Sequence, residues 1–124
     1  MTLVLGNTEM TMEVTQMNTD SILLTVKAHC NVSAEDTSFD TELIENTNTI
    51  LGILPQLGIG PDEGFAIEDK SNEWSEFLSD NLKIGLVKSY VGKRVRLLFD
   101  PPSNSQHLEA LKATISELES RLTY

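Results

Sequence analysis

Residues 81–102 constrain the fold of this chain most, because they join a long apolar helical pattern to an abrupt stop. Eight apolar side chains recur at helical spacing and fill about half of a helical wheel, which is more than a surface helix needs. The stretch therefore predicts a central helix over 81–99 that is covered from two sides. Asp100, Pro101 and Pro102 should end it, because proline disfavours helical backbone at the preceding residue and lacks a backbone donor.

The charged residues of this helix need partners, because the chain as a whole is strongly acidic. Arg94 falls near the middle of the apolar arc, where an unpaired charge is very costly. Lys88, Lys93 and Arg96 fall outside the arc. Twelve carboxylates lie within residues 35–80, with a single basic side chain among them. We expect ion pairs, within or between subunits, that use Lys88, Lys93, Arg94, Arg96, Asp40 and Asp100.

Length, charge and cysteine content limit the class of protein. The chain has 124 residues, which fits one small domain. Its formal charge of −10 argues against attraction to free nucleic acid or to an anionic membrane. A single cysteine, Cys30, excludes an internal disulfide and is typical of a reducing compartment. No stretch has the roughly 18 consecutive apolar residues of a membrane span, so we expect synthesis in a cytoplasm and no membrane partner.

Two helices should precede the central one, over 19–29 and 41–57. Asp20 and the threonine before it can cap the first helix. The segment Ser38-Phe39-Asp40 can cap the second, with its phenylalanine packed onto the first turn. Pro55 should kink the second helix or form its last turn, because proline removes one backbone donor.

Residues 61–80 form the least regular part of the chain. Residues 65–67 could form a short strand, whereas Trp74, Phe77 and Leu78 share the spacing of a single helical turn. For Trp74 we favour a position in the core over a role in stacking on a ligand. The expected core anchors of the whole chain are Phe39, Trp74, Phe77, Tyr90 and Phe99.

Residues 1–16 differ in pattern from the rest of the chain. Met10, Met12 and Val14 alternate with polar residues, which is strand periodicity, and Gly6-Asn7 could turn a β-hairpin. A lone hairpin is marginal in water, so the domain or a neighbouring subunit would have to hold it. The alternative interpretation is a flexible extension that is ordered only by packing in the sample.

A last helix should follow Ser103, which together with Gln106 suggests a capping box. Its apolar residues follow a 3-4-3-4 repeat, which is typical of a coiled-coil seam rather than of a core helix. These residues are Leu108, Leu111, Ile115, Leu118 and Leu122. The sequence therefore predicts a mainly α protein, with a small helical bundle over 17–102, an N-terminal extension over 1–16 and a projecting docking helix over 103–124.

The chain offers no recognisable catalytic or cofactor-binding constellation. His29, Cys30 and His107 fall short of the spacing of zinc ligands, and no serine has a base marked near it. The run Gly58-Ile59-Gly60-Pro61 lacks the later glycine of a dinucleotide motif and follows a helix rather than a strand. We therefore expect no enzymatic activity, no cofactor and no metal. The acidic residues of the 61–80 region are interpreted as a solvated face rather than a cation site.

Several motifs resemble those of one protein family. The motifs are Asp36-Thr37-Ser38-Phe39-Asp40, Gln56-Leu57-Gly58-Ile59-Gly60-Pro61, Val87-Lys88-Ser89-Tyr90, Val95-Arg96-Leu97-Leu98-Phe99-Asp100-Pro101-Pro102 and Glu117-Leu118-Glu119-Ser120-Arg121-Leu122. Over about residues 17–124 the chain resembles the head-tail connector, or adaptor, proteins of long-tailed bacteriophages (siphophages) of Gram-positive hosts. Residues 1–16, Pro55 and Gly92-Lys93 depart from the family's pattern.

This resemblance implies a virion protein of the head-tail neck that forms a ring, of twelve subunits, beneath the portal. Such rings join the portal to a stopper or tail-completion protein and leave an axial channel for genome DNA. The C-terminal helix would dock on the portal through Leu108, Leu111, Ile115, Leu118, Arg121, Leu122 and Tyr124. We expect the channel wall to include Asp62, Glu63, Glu68 and Asp69, because an acidic wall releases no counterions from DNA and lets it slide without specific binding.

Two functions are therefore compatible with the sequence. The first is a structural adaptor without enzymatic activity. The alternative is a small acidic regulatory module that binds a cellular protein and uses residues 35–80 as a DNA-like surface. Ring formation or co-purification with a portal would favour the adaptor, whereas competition by DNA for the same partner would favour the regulatory module.

Overall fold

The computed structural model describes residues 20–79 and 81–123. Within them the helices are α1 (Ile22–His29), α2 (Asp40–Ile53) with a 3₁₀ turn at Leu54–Leu57, α3 (Trp74–Phe77), α4 (Asn81–Phe99) and α5 (Ser105–Thr123). The described residues include no strand beyond an isolated bridge between Ser21 and Glu73. The predicted mainly α bundle is thus confirmed. The hairpin predicted for residues 1–16 lies outside the described residues.

Helix α4 lies at the centre of the bundle. It contacts α1, α2 and α5, and its side chains Val87, Tyr90, Val91 and Val95 are completely buried. Phe99 is its last residue, immediately before Asp100 and the two prolines. The structure therefore has the central helix and the stop that the sequence predicted.

One hydrophobic cluster joins all the helices. Trp74, Phe77 and Tyr90 are its buried aromatic residues, and the Trp74 indole Nε1 donates a hydrogen bond to Thr25 Oγ1 at 3.0 Å. Ile115 and Leu122 of α5 belong to the same cluster. The C-terminal helix is therefore part of the core.

The segment between the 3₁₀ turn and α3 is irregular but anchored. The predicted strand at 65–67 is absent, and the Asn48 side chain of α2 forms hydrogen bonds with the backbone of Ile67. Asn48 Oδ1 accepts from Ile67 N at 2.7 Å, and its Nδ2 donates to Ile67 O at 3.1 Å. Gly58 ends the 3₁₀ turn at φ 81°, a left-handed conformation that favours glycine. The loop is thereby held along one side of α2.

The helix caps differ from the predicted ones by one residue. Ser21, not Asp20, caps α1, and its Oγ accepts from Leu24 N at 3.3 Å. Asn104, not Ser103, caps α5, and its Oδ1 accepts from Gln106 N at 2.8 Å and from His107 N at 3.1 Å. In both cases the side-chain oxygen accepts from a backbone amide group of the first turn, which has no partner within the helix.

Phe39 is not the core anchor that the sequence predicted. It is 42% exposed, and no side chain caps α2. Its ring packs edge-on against Phe99, with ring centroids 5.3 Å apart, rather than onto the first turn of α2. Phe99 itself is half-buried, so this aromatic pair lies at the edge of the core.

The seam of α5 predicted a projecting helix. In the structure, α5 instead packs back along α4. Ile115 and Leu122 are buried, and Leu111 and Leu118 pack against the same cluster. The short connection 100–104 makes the two helices an antiparallel pair. The apolar seam of α5 therefore has a partner within the chain.

Candidate interaction surfaces

The charged residues fall into two groups, those paired inside the bundle and those left on its surface. Lys27 of α1 belongs to the first group and is only 2% exposed. Its Nζ lies 2.8 Å from Asp40 Oδ1, and it donates to the carbonyl oxygens of Asp36 at 2.8 Å and Ala34 at 3.3 Å. Lys27 therefore ties the 34–36 loop and the start of α2 to α1, and Asp40 is used internally.

A second internal cluster joins α4 to α5. Tyr90 is completely buried, and its hydroxyl group donates to Glu119 Oε2 at 2.6 Å. Arg94 Nη1 donates to the Tyr90 oxygen at 2.7 Å and lies 3.6 Å from Glu119 Oε2. Burial raises the pKa of Tyr90, and the hydrogen bond to Glu119 raises it further, while Arg94 acts in the opposite direction. The arginine in the apolar arc is thus paired within the chain.

Three of the other basic residues of α4 take no part in this cluster. Lys88, Lys93 and Arg96 are partly exposed, and none of them forms an ion pair with a carboxylate in the described part of the chain. Arg96 Nε donates instead to the Asp100 carbonyl oxygen at 3.2 Å, one turn along the helix. Their positive charges can therefore pair with carboxylates of another molecule.

Helices α1 and α4 cross closely at Gly92. A methyl group at Gly92 would overlap the imidazole ring of His29, so only glycine allows this approach. Burial lowers the pKa of His29, and the nearby charge of Lys93 lowers it further. Beside it, burial raises the pKa of the Cys30 thiol to about 11. His29 and Cys30 therefore act as packing residues at this crossing.

A groove of about 460 Å³ opens at the end of the bundle where α1 and α4 finish and α2 starts. Phe39, Phe99, Cys30 and Val32 form its apolar part, and Glu42 and Asp100 form its acidic rim. Leu98, 52% exposed, precedes Phe99 in α4. This end of the molecule offers apolar contact area, but it is bordered by negative charge.

The acidic residues predicted for a channel wall are all exposed. Asp62, Glu63, Glu68 and Asp69 lie in the irregular segment that Asn48 holds against α2. The Ser71 hydroxyl and amide groups bind the Asp69 carboxylate and lower its pKa. Within the described ranges, 20–79 and 81–123, no three His, Cys, Asp or Glu residues group closely enough to hold a metal ion.

The comparison with protein families decides the identity of this bundle. A family model described as phage connector protein matches residues 22–124, which include α1 to α5 of the described structure. The chain belongs to the phage connector protein family. Searches among curated proteins and among solved structures gave no significant match.

Membership confirms the resemblance to bacteriophage head-tail connectors and gives this connector a structural role in the phage. The match begins at Ile22, the first residue of α1, so residues 1–21 lie outside it. No helix in the portion of the connector that the structure describes is long and apolar enough to cross a membrane.

The residues predicted to dock on a portal lie in two environments. Ile115 and Leu122 are buried, Leu111 and Leu118 are packed against the core, and Leu108 is half-buried. Arg121 is exposed and pairs with Glu117 at 2.8 Å. Tyr124 lies outside the described residues. Most of this set is therefore occupied inside the connector.

Sequence reasoning missed two internal partners. Lys27 is the only Lys or Arg before Lys70 and follows Leu23 by four residues, so its place on the apolar side of α1 was a usable signal. Glu119 lies four residues after Ile115, which puts it beside the seam of α5. The sequence did not reveal that this seam faces Tyr90 and Arg94.

Proposed function

We propose that this connector forms a ring beneath the portal of the phage head, joins the portal to a stopper or tail-completion protein, and leaves a channel for genome DNA. The observation that carries the proposal is the family match over residues 22–124. The ring number of twelve, the siphophage type and the Gram-positive host belong to the same proposal. The virion neck is its proposed location, after synthesis in the host cytoplasm.

The contrast between internally paired and unpaired basic residues supports self-association. Arg94 and Lys27 are paired inside the chain, whereas Lys93 and Arg96 have no carboxylate partner among the described residues. The net charge of −10 makes carboxylates of a neighbouring copy the most available partners for them. A contact between different surfaces of identical subunits generates a closed ring when the rotation closes.

We place the portal contact on the outward side of α5. Because the apolar seam packs on α4, docking through Ile115 or Leu122 would require α5 to leave the core, with the cost of exposing both side chains. The outward side carries Ala113, Ser120 and Arg121, all exposed. We therefore assign portal docking to that side of residues 103–124.

The acidic loop supports an unobstructed channel. Asp62, Glu63, Glu68 and Asp69 are exposed, and Lys70 is the only basic residue of the 61–79 segment. Since tight DNA binding requires Lys or Arg contacts that release counterions, a wall of carboxylates would let the genome pass without binding.

Co-expression with the portal protein of the same phage tests the proposal. The connector should co-purify with the portal, and electron microscopy of the complex should show a ring with an open axial channel. Ala113→Arg combined with Ser120→Arg should abolish co-purification, whereas Ala66→Arg, which places one new charge on an exposed loop, should not. If the wild-type connector neither binds the portal nor forms a ring with it, the proposed function is wrong.

A further inference from the structure

Three sides of α4 are covered by other helices of the same chain. Gly92 faces His29 of α1, and Tyr90 and Arg94 face Glu119 of α5. At about 100° per residue these two directions lie on opposite sides of the helix. Between them lie the fully buried residues Val87, Val91 and Val95, which α2 covers as the third helix in contact with α4.

The fourth side of α4 faces none of these three helices, which are its main contacts within the described residues. It carries Gly85, Ser89, Lys93 and Arg96, which we call the basic stripe. Gly85 is exposed and the other three are partly exposed. Both cations lack a carboxylate partner within the described residues, and Gly85 and Ser89 are small enough to let another helix approach. The stripe therefore combines space at one end with positive charge at the other.

The opposite side of the bundle carries a matching surface. Helix α2 buries Leu43, Thr47 and Ile50. Its outward side, which we call the acidic face, consists of Glu42, Glu45, Thr49 and Gly52, all exposed. Neither glutamate forms an ion pair in the part of the chain that the structure describes. Because α2 covers α4 opposite the basic stripe, the acidic face and the stripe lie on opposite sides of the molecule.

We infer that the basic stripe of one copy seats on the acidic face of the next copy, and that this contact, repeated, closes the connector ring. The inference rests on the proposed ring and identifies its interface. A second copy is the occupant that charge favours, because the stripe is positive and α2 of this chain presents Glu42 and Glu45 without a described ion pair. Two different surfaces on opposite sides of one subunit are what a head-to-tail ring requires.

The two surfaces also match along their length. The contact between Phe39 and Phe99, with ring centroids 5.3 Å apart, brings the start of α2 beside the end of α4, and we take this pair as the reference level along each helix. At a rise of about 1.5 Å per residue, Glu42 and Arg96 both lie about 4.5 Å from this level, and Glu45 and Lys93 both lie about 9 Å from it.

The match continues at the uncharged end. Thr49 and Ser89 both lie about 15 Å from the aromatic level, and Gly52 and Gly85 lie about 20 Å from it. A rotation about an axis parallel to these helices keeps every residue at its own level. The inferred ring axis therefore runs along α2 and α4, with acid opposite base at one end and small residues opposite each other at the other end.

A charge-swap experiment tests the interface on the full chain. One variant carries Lys93→Glu and Arg96→Glu, and the other carries Glu42→Lys and Glu45→Lys. Each variant alone would bring like charges together, so we expect at least about a tenfold rise in the concentration needed for ring assembly, measured by mass photometry with and without portal. An equimolar mixture should recover assembly, because each variant then supplies the surface that complements the other.

The mixture should also alternate the two variants, so native mass spectrometry should find equal numbers of each in the ring. Lys112→Glu lies outside both surfaces, on α5, and changes the net charge by two instead of four. This variant should assemble like wild type in the absence of portal. Circular dichroism verifies folding. If a swapped variant is unfolded, Lys93→Gln with Arg96→Gln replaces it, and this neutral variant should show a smaller loss in the same direction.

The outcomes separate this inference from the proposed function. If wild type forms no ring even with portal, the proposed function fails. If wild type forms rings and the swapped variants form them equally well, the connector role stands and this interface is wrong. If folded variants fail alone and also fail when mixed, the stripe and the acidic face are not partners. If a variant keeps its ring but loses the portal, the surface binds the portal and the inference is overturned.

Discussion

Tyr90 lies completely buried between α4 and α5, with its hydroxyl group bonded to Glu119. Burial and this hydrogen bond raise the pKa of Tyr90 above its ordinary value of 10.0. The folded state therefore holds the phenol proton to a higher pH than the unfolded state does. The resulting stability is present below about pH 10 and is lost as the pH rises through the folded pKa.

We expect Tyr90→Phe to be less stable than wild type by about 1 kcal/mol at pH 8, because the hydrogen bonds to Glu119 and Arg94 are lost. This difference should narrow as the pH rises above about 10, since the unfolded wild type then gains by ionising its phenol and the variant cannot. Urea unfolding at a series of pH values measures this difference in the free energy of unfolding. Cys30, whose pKa is raised to about 11, is present in both proteins and cancels in the comparison. A constant difference across this pH range would contradict the assigned role of Tyr90.

At the scale of helices, the crossing of α1 over α4 depends on one glycine. In Gly92→Ala the added methyl group would overlap the His29 ring, so the helices must separate or the ring must move. We expect a loss of about 1 to 3 kcal/mol in the free energy of unfolding. Gly85→Ala on the same helix meets nothing within 4 Å and should gain up to about 1 kcal/mol from helix propensity.

The two alanine variants therefore change stability in opposite directions, although both replace a glycine of α4. Chemical unfolding followed by circular dichroism gives both values. His29→Ala should remove the overlap, so Gly92→Ala made in that background should cost much less than in wild type. If Gly92→Ala were as stable as Gly85→Ala, the close crossing would be wrong.

The helices and the stop after α4 could be predicted because periodic apolar spacing and Pro101-Pro102 act locally. The packing of α5 could not be predicted in this way. Its 3-4-3-4 repeat indicates that the helix needs an apolar partner, but not whether that partner is α4 or another protein. Phe39 shows the same limit, since a phenylalanine before a helix can pack on the first turn or on a distant ring such as Phe99.

The charged residues were predictable as a set rather than as pairs. The position of Arg94 in the apolar arc of α4 predicted that it needs a partner, and the structure supplies Glu119. Lys27 and Asp40 meet only because a loop returns the chain to α1. Such pairs depend on tertiary contacts, which residue spacing in one helix does not encode.

At the scale of the whole molecule, two electrostatic effects oppose each other. Copies that each carry a net charge of −10 repel one another over long distances, whereas the basic stripe and the acidic face attract at contact. Pairing the basic stripe of α4 with α2 of the next copy would remove unpaired charge of both signs. Ring assembly should therefore depend on these few residues despite the unfavourable total charge.

Salt should separate the two effects when wild type is compared with the neutral variant Lys93→Gln and Arg96→Gln. At about 0.1 M salt the Debye length is about 10 Å, and we expect wild type to assemble at a lower concentration than the variant. At about 1 M it falls to about 3 Å, so the two assembly concentrations should converge. Mass photometry across this range measures them. If the difference between the two assembly concentrations does not change with salt, Lys93 and Arg96 act through packing alone. If the neutral variant assembles at a lower concentration than wild type at low salt, the stripe meets another positive surface.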